Sequence, residues 1–327
     1  MKDIKILDCT LRDGGYVNNW EFGKENISAI IKGLISSKID IIECGFLTSK
    51  EVNDNQSLYN KVSELNQYLE NVDKTKLSLM ISNSKYNIAC LENYDKNLAK
   101  NIRYIFKKHN LKHALNECQI VKSKGYNLFI NPTYISEYNF DEFKKLIEQV
   151  NKIKPFAFSL VDSIGILDKG SLNSLINYAD KNLEKDISLC LHLHNNLGIA
   201  FDNAISAVNS NIQRKIIIDS TIRGIGRGSG NLPVELIIMY LNKKYDLKYD
   251  IKKIYEMYEQ YIISNPKIKL FKMTSAYYFS AINRIHPNYA DFVIRNNISD
   301  KKANEIFKKI PFEYKTIYNE EIIKALC

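Results

Sequence analysis

Short apolar or β-branched runs recur at 4–7, 39–44, 77–81, 102–106, 128–130, 156–161, 189–193 and 216–218, and helix-spaced patterns fill most gaps, at 25–37, 56–70, 111–124, 141–153, 171–182 and 200–209. Near-continuous apolar runs too short for helices, alternating with amphipathic segments, are the pattern of a parallel sheet covered by helices. Eight such units predict the α/β class and a (β/α)8 TIM barrel, for which about 250 residues is typical; a doubly wound open sheet is the alternative. After residue 245 the strand signal stops and tyrosine-rich helical patterns follow at 251–264, 275–285, 289–296 and 301–309. The expected organisation is a catalytic barrel over 1–244 and a small helical C-terminal region over 245–327.

The polar residues favour the closed barrel. Asp13, Glu43, Asn131, Asp162, His192, His194 and Asp219 fall at or just beyond the C-terminal ends of different runs, where a barrel gathers its catalytic groups from around the rim. An open sheet would unite only those near its switch point. Strict alternation along the first strand puts Arg12 and Asp13 on opposite faces, so the chain must turn at Arg12, and Gly14-Gly15 are expected to permit that turn.

His192 and His194, at i and i+2 on one strand, share a face, so both imidazoles reach one ion while Leu191 and Leu193 point away. Alone, such a pair also reads as two polar residues hydrogen-bonded at a strand end. A carboxylate from Asp13 completes a three-ligand set. Two imidazoles and a carboxylate without a thiolate suit Mn²⁺, Mg²⁺, Zn²⁺ or Fe²⁺, with positions left open for substrate.

Composition narrows the function classes. A 45% hydrophobic, 25% charged chain of 327 residues is ordinary for a globular protein. The net charge of +9 comes from lysines spread along the chain, and pairs such as Lys107-Lys108 and Lys308-Lys309 read as solvated helix faces, so no nucleic acid partner is expected. Six scattered cysteines without a CxxC pair point to a reducing compartment. With neither a signal-peptide pattern nor an apolar span, a cytoplasmic location without a membrane partner is expected. The segment Gly224-Ile-Gly-Arg-Gly-Ser-Gly230 has Ser229 where a dinucleotide fingerprint needs glycine. It reads as a backbone nest or a plain turn, followed by a helix with Pro233 in its first turn. His286-Pro-Asn-Tyr289 reads as packing, as a cap on the barrel mouth, or as an oligomer contact.

Five ordered motifs, Asp8-x-Thr-Leu-Arg-Asp-Gly14, Glu43-Cys-Gly-Phe46, Asp162-Ser-Ile-Gly165, His192-x-His-Asn195 and Gly226-Arg-Gly-x-Gly-Asn231, together resemble the metal-dependent lyase and synthase superfamily of hydroxymethylglutaryl-CoA lyase, isopropylmalate synthase and 4-hydroxy-2-oxovalerate aldolase. The aldolase-like branch resembles the chain most. The resemblance implies that Asp13, His192 and His194 bind a divalent metal, that Arg12 steadies an enolate, and that Asn231 lies at or near the metal. Mn²⁺ is the first expectation for the ion, with Mg²⁺, Zn²⁺ and Co²⁺ behind it. In the true aldolases a histidine follows the Asp-Gly-small sequence and deprotonates the substrate hydroxyl; here Tyr16 holds that place. Tyr16 itself, or Tyr277, Tyr278 or His286 from the tail, then moves the proton, or the substrate differs.

The expected activity is metal-dependent aldol cleavage or formation of a carbon-carbon bond next to a 2-oxo acid, with Arg12, Tyr16 and Glu43 catalytic and Asn131 and Asp162 contacting substrate. The expected partners are a small 2-oxo acid and an aldehyde, in a homo-oligomer associated through the aromatic tail; a dehydrogenase partner stays open. The alternatives are an acyl-CoA-dependent Claisen synthase, a non-haem iron oxygenase, and a catalytically decayed binding subunit.

Overall fold

A computed structural model describes residues 2–69, 72–268 and 274–327. Its strands are β1 (Ile4–Asp8), β2 (Ile41–Leu47), a two-residue β3 (Leu58–Tyr59), β4 (Leu77–Ser82), β5 (Asn101–Phe106), β6 (Asn127–Pro132), β7 (Ala157–Asp162), β8 (Ser188–Leu193) and β9 (Ile216–Ser220). All pair in parallel in the order β1-β9-β8-β7-β6-β5-β4-β2, and a β1–β2 pairing closes the ring, with β3 extending the outer end of β2. The expected eight-stranded TIM barrel is the fold.

Around it lie α1 (Lys24–Ser36), α2 (Leu111–Ser123), α3 (Phe140–Ile153), α4 (Lys169–Asn182), α5 (Ala200–Asn209) and α6 (Val234–Tyr245). The third shows why such segments are helical. Asn139 and Glu142 form a reciprocal capping box, and Phe143, Leu146, Ile147 and Val150 bury one stripe. Pro233 stands one residue earlier than expected, as N-cap of α6.

The helix expected over 56–70 does not form. Leu58 and Tyr59 pair with Phe46 and Leu47, and only a 3₁₀ stretch, Val62–Tyr68, follows; residue 70 lies outside the described residues. Ser57, Tyr59, Asn60, Val62 and Ser63 are weak helix formers, and the Asn60 amide ties the segment to the carbonyls of Thr48 and Lys50 instead.

Beyond residue 245 the helices form two groups. The helix α7 (Ile251–Met257) and the π-helical turns after it pack on the barrel core through Ile254, Met257 and Ile262. By contrast α8 (Ser275–Ile282), α9 (Asn288–Arg295), α10 (Asp300–Lys309) and α11 (Glu320–Leu326) share a separate core around Tyr289, Val293, Ile306 and Phe307. None of the described helices is long and apolar enough to cross a membrane. Inside the barrel, Leu7, Ile41, Phe129, Ala157 and Ile217 make an apolar plug, above which the inward positions turn polar.

Candidate metal centre

The turn after β1 builds one side of the site. Asp8 accepts from the Thr10 amide (2.9 Å) and hydroxyl (3.0 Å), an Asx turn that stops the strand. The amides of Arg12 and Asp13 then both donate to the Cys9 carbonyl, at 3.1 and 2.8 Å, which brings the two side chains to one side. This turn starts at Cys9, earlier than expected, and without help from the glycine φ angles. Gly14 and Gly15 provide space: a Cβ on Gly14 would meet Ile225 at 2.7 Å, and one on Gly15 would strike Trp20. Trp20 Nε1 in turn donates to the Arg12 carbonyl (2.8 Å).

On the opposite side β8 presents Cys190 and His192 by alternation, and His194, one residue past its end, keeps the same face. One ligand atom from each of Asp13, His192 and His194 lies within 4.8 Å of the others, all buried. His192 Nδ1 is 3.0 Å from Asp219 Oδ2, and His194 Nδ1 is 3.2 Å from the Gly230 carbonyl. Both acceptors assign the proton to Nδ1 and leave each Nε2 with its lone pair, the state a metal requires. His192 Nε2 then stands 3.4 Å from Asp13 Oδ2, two acceptors that a cation would satisfy together. Burial would raise the Asp13 carboxyl, but Arg12 and the imidazoles hold it well below the carboxylate range. Burial also lowers His194 to about 4, so it is neutral at pH 7. His192 goes the other way: burial would lower it, but the Asp13 and Asp219 carboxylates beside its two nitrogens favour the charged ring and raise it.

The glycine loop closes over these groups. Asn231 bridges to His194 through a backbone β-bridge and donates its amide to Asp13 Oδ1 (3.1 Å), leaving its own buried Oδ1 without a partner among the described residues. That orphaned oxygen, with the two lone-pair nitrogens, fits a divalent ion. The nest expected at 224–230 turns inwards: the Arg227 amide donates to Asp13 Oδ1 (3.3 Å) and the Ser229 amide to Asn196 Oδ1 (2.7 Å). A Cβ at Gly226 would lie 2.8 Å from Asp13 Oδ1, so glycine there lets the loop wrap the ligand.

Beneath the centre runs a closed circuit of charge. Arg12 pairs with Asp13 and, through Nε, with Glu43 Oε2 (2.7 Å); Glu43 also accepts from Arg103 Nη1 (3.0 Å); Arg103 pairs with Asp219, which holds His192. Arg103 and Glu43 are both 0% exposed. Burial would raise Asp219, but Arg103 and His192 bring it to about 2. Asn131 accepts from Arg103 Nε (3.3 Å) and Nη2 (3.0 Å) in the amide orientation that satisfies its neighbours. Glu43, expected to be catalytic, sits mid-strand behind Arg12, does not line the cavity, and pairs its Oε2 with both Arg12 and Arg103. Arg103 was not singled out from the sequence. Its only signal is a cation inside an apolar strand.

A cavity of about 420 Å³ opens above, within the roughly 300–1,000 Å³ of small-molecule sites. Arg12, Asp13, Tyr16, Asn131, His192 and His194 line it, together with Lys107, Arg227 and His286. Tyr16 packs on Trp20 with ring centroids 4.8 Å apart and carries the Arg227 guanidinium 3.9 Å from its own centroid. Lys107, expected on a solvated face, is half-buried at the end of β5. Asp162 is directed elsewhere: its carboxylate accepts from the amides of Ile166 (3.1 Å) and Leu167 (3.0 Å), with burial raising it to about 6. It folds the turn whose Gly165 lies against the His194 backbone. Among the tail residues, His286 reaches the cavity, Tyr277 pairs with Asp291, and Tyr278 is exposed.

A closed parallel barrel with two imidazoles and a carboxylate converging at the C-terminal end of its strands defines a metal-site TIM-barrel protein. Residues 3–260 match the HMGL-like family, and the chain belongs to it. Family members are lyases and synthases that bind divalent metals. The chain is 26% identical over 266 residues to homocitrate synthase AksA of Methanosarcina acetivorans, covering 77% of this chain and 62% of that one. It is 25% identical over 285 residues to 4-hydroxy-2-oxovalerate aldolase of Carboxydothermus hydrogenoformans, covering 82% and 79%. The chain thus spans a little over three fifths of the synthase's length. A solved N-terminal domain of a putative aldolase from Bacteroides vulgatus superposes with a TM-score of 0.69 at 26% identity, over 98% of this chain and 99% of that one.

Proposed function

We propose that the protein is a metal-dependent aldolase-type lyase that breaks or forms the carbon-carbon bond beside a 2-oxo acid, with a 4-hydroxy-2-oxo acid as its substrate type. The observation that supports this most is the sharing of one small cavity by Arg12, the Asp13, His192 and His194 donor set, and Tyr16. A divalent ion, Mn²⁺ first, held by those three side chains with Asn231 beside it would supply Lewis-acid polarisation of the substrate's keto oxygen.

The chain's own residues supply the rest. In the cleavage direction the substrate hydroxyl gives up its proton, the adjacent carbon-carbon bond breaks to release an aldehyde, and the electron pair comes to rest as an enolate. Arg12, fixed by Glu43, Asp13 and the Trp20 contact to its carbonyl, faces that charge with a preorganised fork. We assign the general base to Tyr16 in its phenolate form, which takes that proton and becomes the phenol. The other cavity-lining candidate, His286, accepts from the Asn288 amide through Nδ1 (3.1 Å), so its lone pair is taken. We place the enzyme in the cytoplasm as a homo-oligomer, the oligomer being supported by the exposed Tyr278, Ile282 and Ile294 on the tail.

The likeness to homocitrate synthase supports a second reading, Claisen condensation with an acyl-CoA. Metal-supplemented protein given 4-hydroxy-2-oxo acids should release pyruvate in a coupled assay, and Tyr16→Phe should lower kcat by about 10²–10⁴-fold, the span of general acid-base catalysis, with metal affinity kept. Thiol release from acyl-CoA without pyruvate release would select the synthase and refute the aldolase reading.

A further inference from the structure

The charges around the cavity do not balance. Arg12, Lys85, Lys107 and Arg227 line it, and Asp13 is the sole carboxylate among the described lining residues. Arg12 already has its partners in Asp13 and Glu43. Arg227 has no ion pair and no side-chain hydrogen bond among the described residues; it rests on the Tyr16 ring, and Asp13 and Asp291, the latter also accepting from the Tyr277 hydroxyl, act on it only from beyond ion-pair distance. Lys107 donates to the Thr316 carbonyl (2.9 Å); the acid whose charge it feels, Glu137, makes no ion pair with it among the described residues.

We propose that the outer half of the cavity is a subsite for a second anionic group, a carboxylate or a phosphate ester, carried by the aldehyde end of the substrate and gripped by Arg227 and Lys107. This rests on the aldolase reading above, in which the 2-oxo carboxylate occupies the inner, metal end. The tail forms the roof: His286 and Ile317 line the cavity, the His286 amide donates to the Lys315 carbonyl (2.6 Å), and Lys107 ties to Thr316. With Nδ1 of His286 occupied by the Asn288 amide, Nε2 is the proton-bearing nitrogen and a third donor. Burial, then Arg227 and Lys107, hold that imidazole well below its ordinary value, so it remains a neutral donor. Cations withdrawn from water without a counter-charge are costly, and an anionic ligand offsets that cost where a neutral aldehyde would not.

The test compares metal-loaded protein with three aldehydes of matched length in aldol addition to pyruvate: a neutral one, a carboxylated one and a phosphorylated one. At least one anionic aldehyde should exceed the neutral one about tenfold or more in kcat/KM, the worth of a charged hydrogen bond, and the better of the two identifies the group. Arg227→Gln and Lys107→Gln should each reduce that preference about tenfold, and Arg227→Lys should restore part of it. Equal use of all three aldehydes by the wild type, or a preference that survives both glutamine variants, overturns the subsite. If no aldehyde turns over, the aldolase reading has failed and direct binding decides the subsite alone. In that case 2-phosphoglycolate, followed by quenching of the single tryptophan, should bind about tenfold more weakly to Arg227→Gln; unchanged binding overturns the proposal.

Discussion

The floor and the mouth of the cavity treat charge in opposite ways. On the floor, Arg12, Glu43, Arg103 and Asp219 are buried in a closed circuit in which every charge meets an opposite one. At the mouth, Arg227 and Lys107 stand half-buried, and neither makes an ion pair among the described residues; Asp13, Asp291 and Glu137 act on them only from a distance. A circuit that is complete before substrate arrives fixes geometry: it holds Arg12 in one orientation and His192 in one tautomer. A mouth left short of negative charge is incomplete until something supplies it. The difference separates the residues that perform the chemistry from those that select what undergoes it.

The largest effect should come from breaking the floor. Replacing Arg103 by methionine leaves Glu43 to share the one charge of Arg12 with Asp13 and Asp219 with His192 alone, so the buried circuit is short of one cation; this should cost about 3–5 kcal/mol of unfolding free energy, read by urea denaturation. Next, Asp219→Asn keeps the shape but weakens the hold on His192 Nδ1; metal affinity should fall roughly 10–100-fold, read by titration calorimetry. A smaller effect concerns pH. His286 is held below its unfolded value, so its contribution to stability is complete above about pH 6.5 and is lost as pH falls below it. The tail helices should lose about 1 kcal/mol between pH 7 and 5.5, seen as faster hydrogen exchange in 275–326, and His286→Gln should flatten that slope. Smallest of all, Arg227→Met should change stability by less than about 1 kcal/mol, the scale of its contact with Tyr16. A loss as large as that of Arg103→Met would erase the contrast between floor and mouth.

How much of this was legible in the sequence follows the same division. The barrel could be read because its strands are apolar on both faces and its helices amphipathic, a pattern set by local burial. Asp13, His192 and His194 could be read because metal ligands obey the period of the strand that carries them. Arg103 could not, since a single arginine in Ile102-Arg-Tyr-Ile105 shows no sign of the acids on β2 and β9 that pair with it across the barrel. Glu43 was placed at a strand end because the apolar run stops at Cys44, whereas the strand continues through a bulge to Leu47. Lys107 was misjudged for a related reason: exposure of a lysine after a strand depends on the tail that folds back over it, some two hundred residues later in the chain.

The central claim is that one divalent ion is held jointly by β1 and β8, and calorimetric titration of Mn²⁺ into chelator-stripped protein tests it most directly. Wild type should take up one ion per chain, and His192→Ala, His194→Ala and Asp13→Ala should each weaken that uptake by more than the roughly 10–100-fold that outer partners are worth, while circular dichroism stays unchanged. Folded variants that bind Mn²⁺ as tightly as wild type would contradict the account.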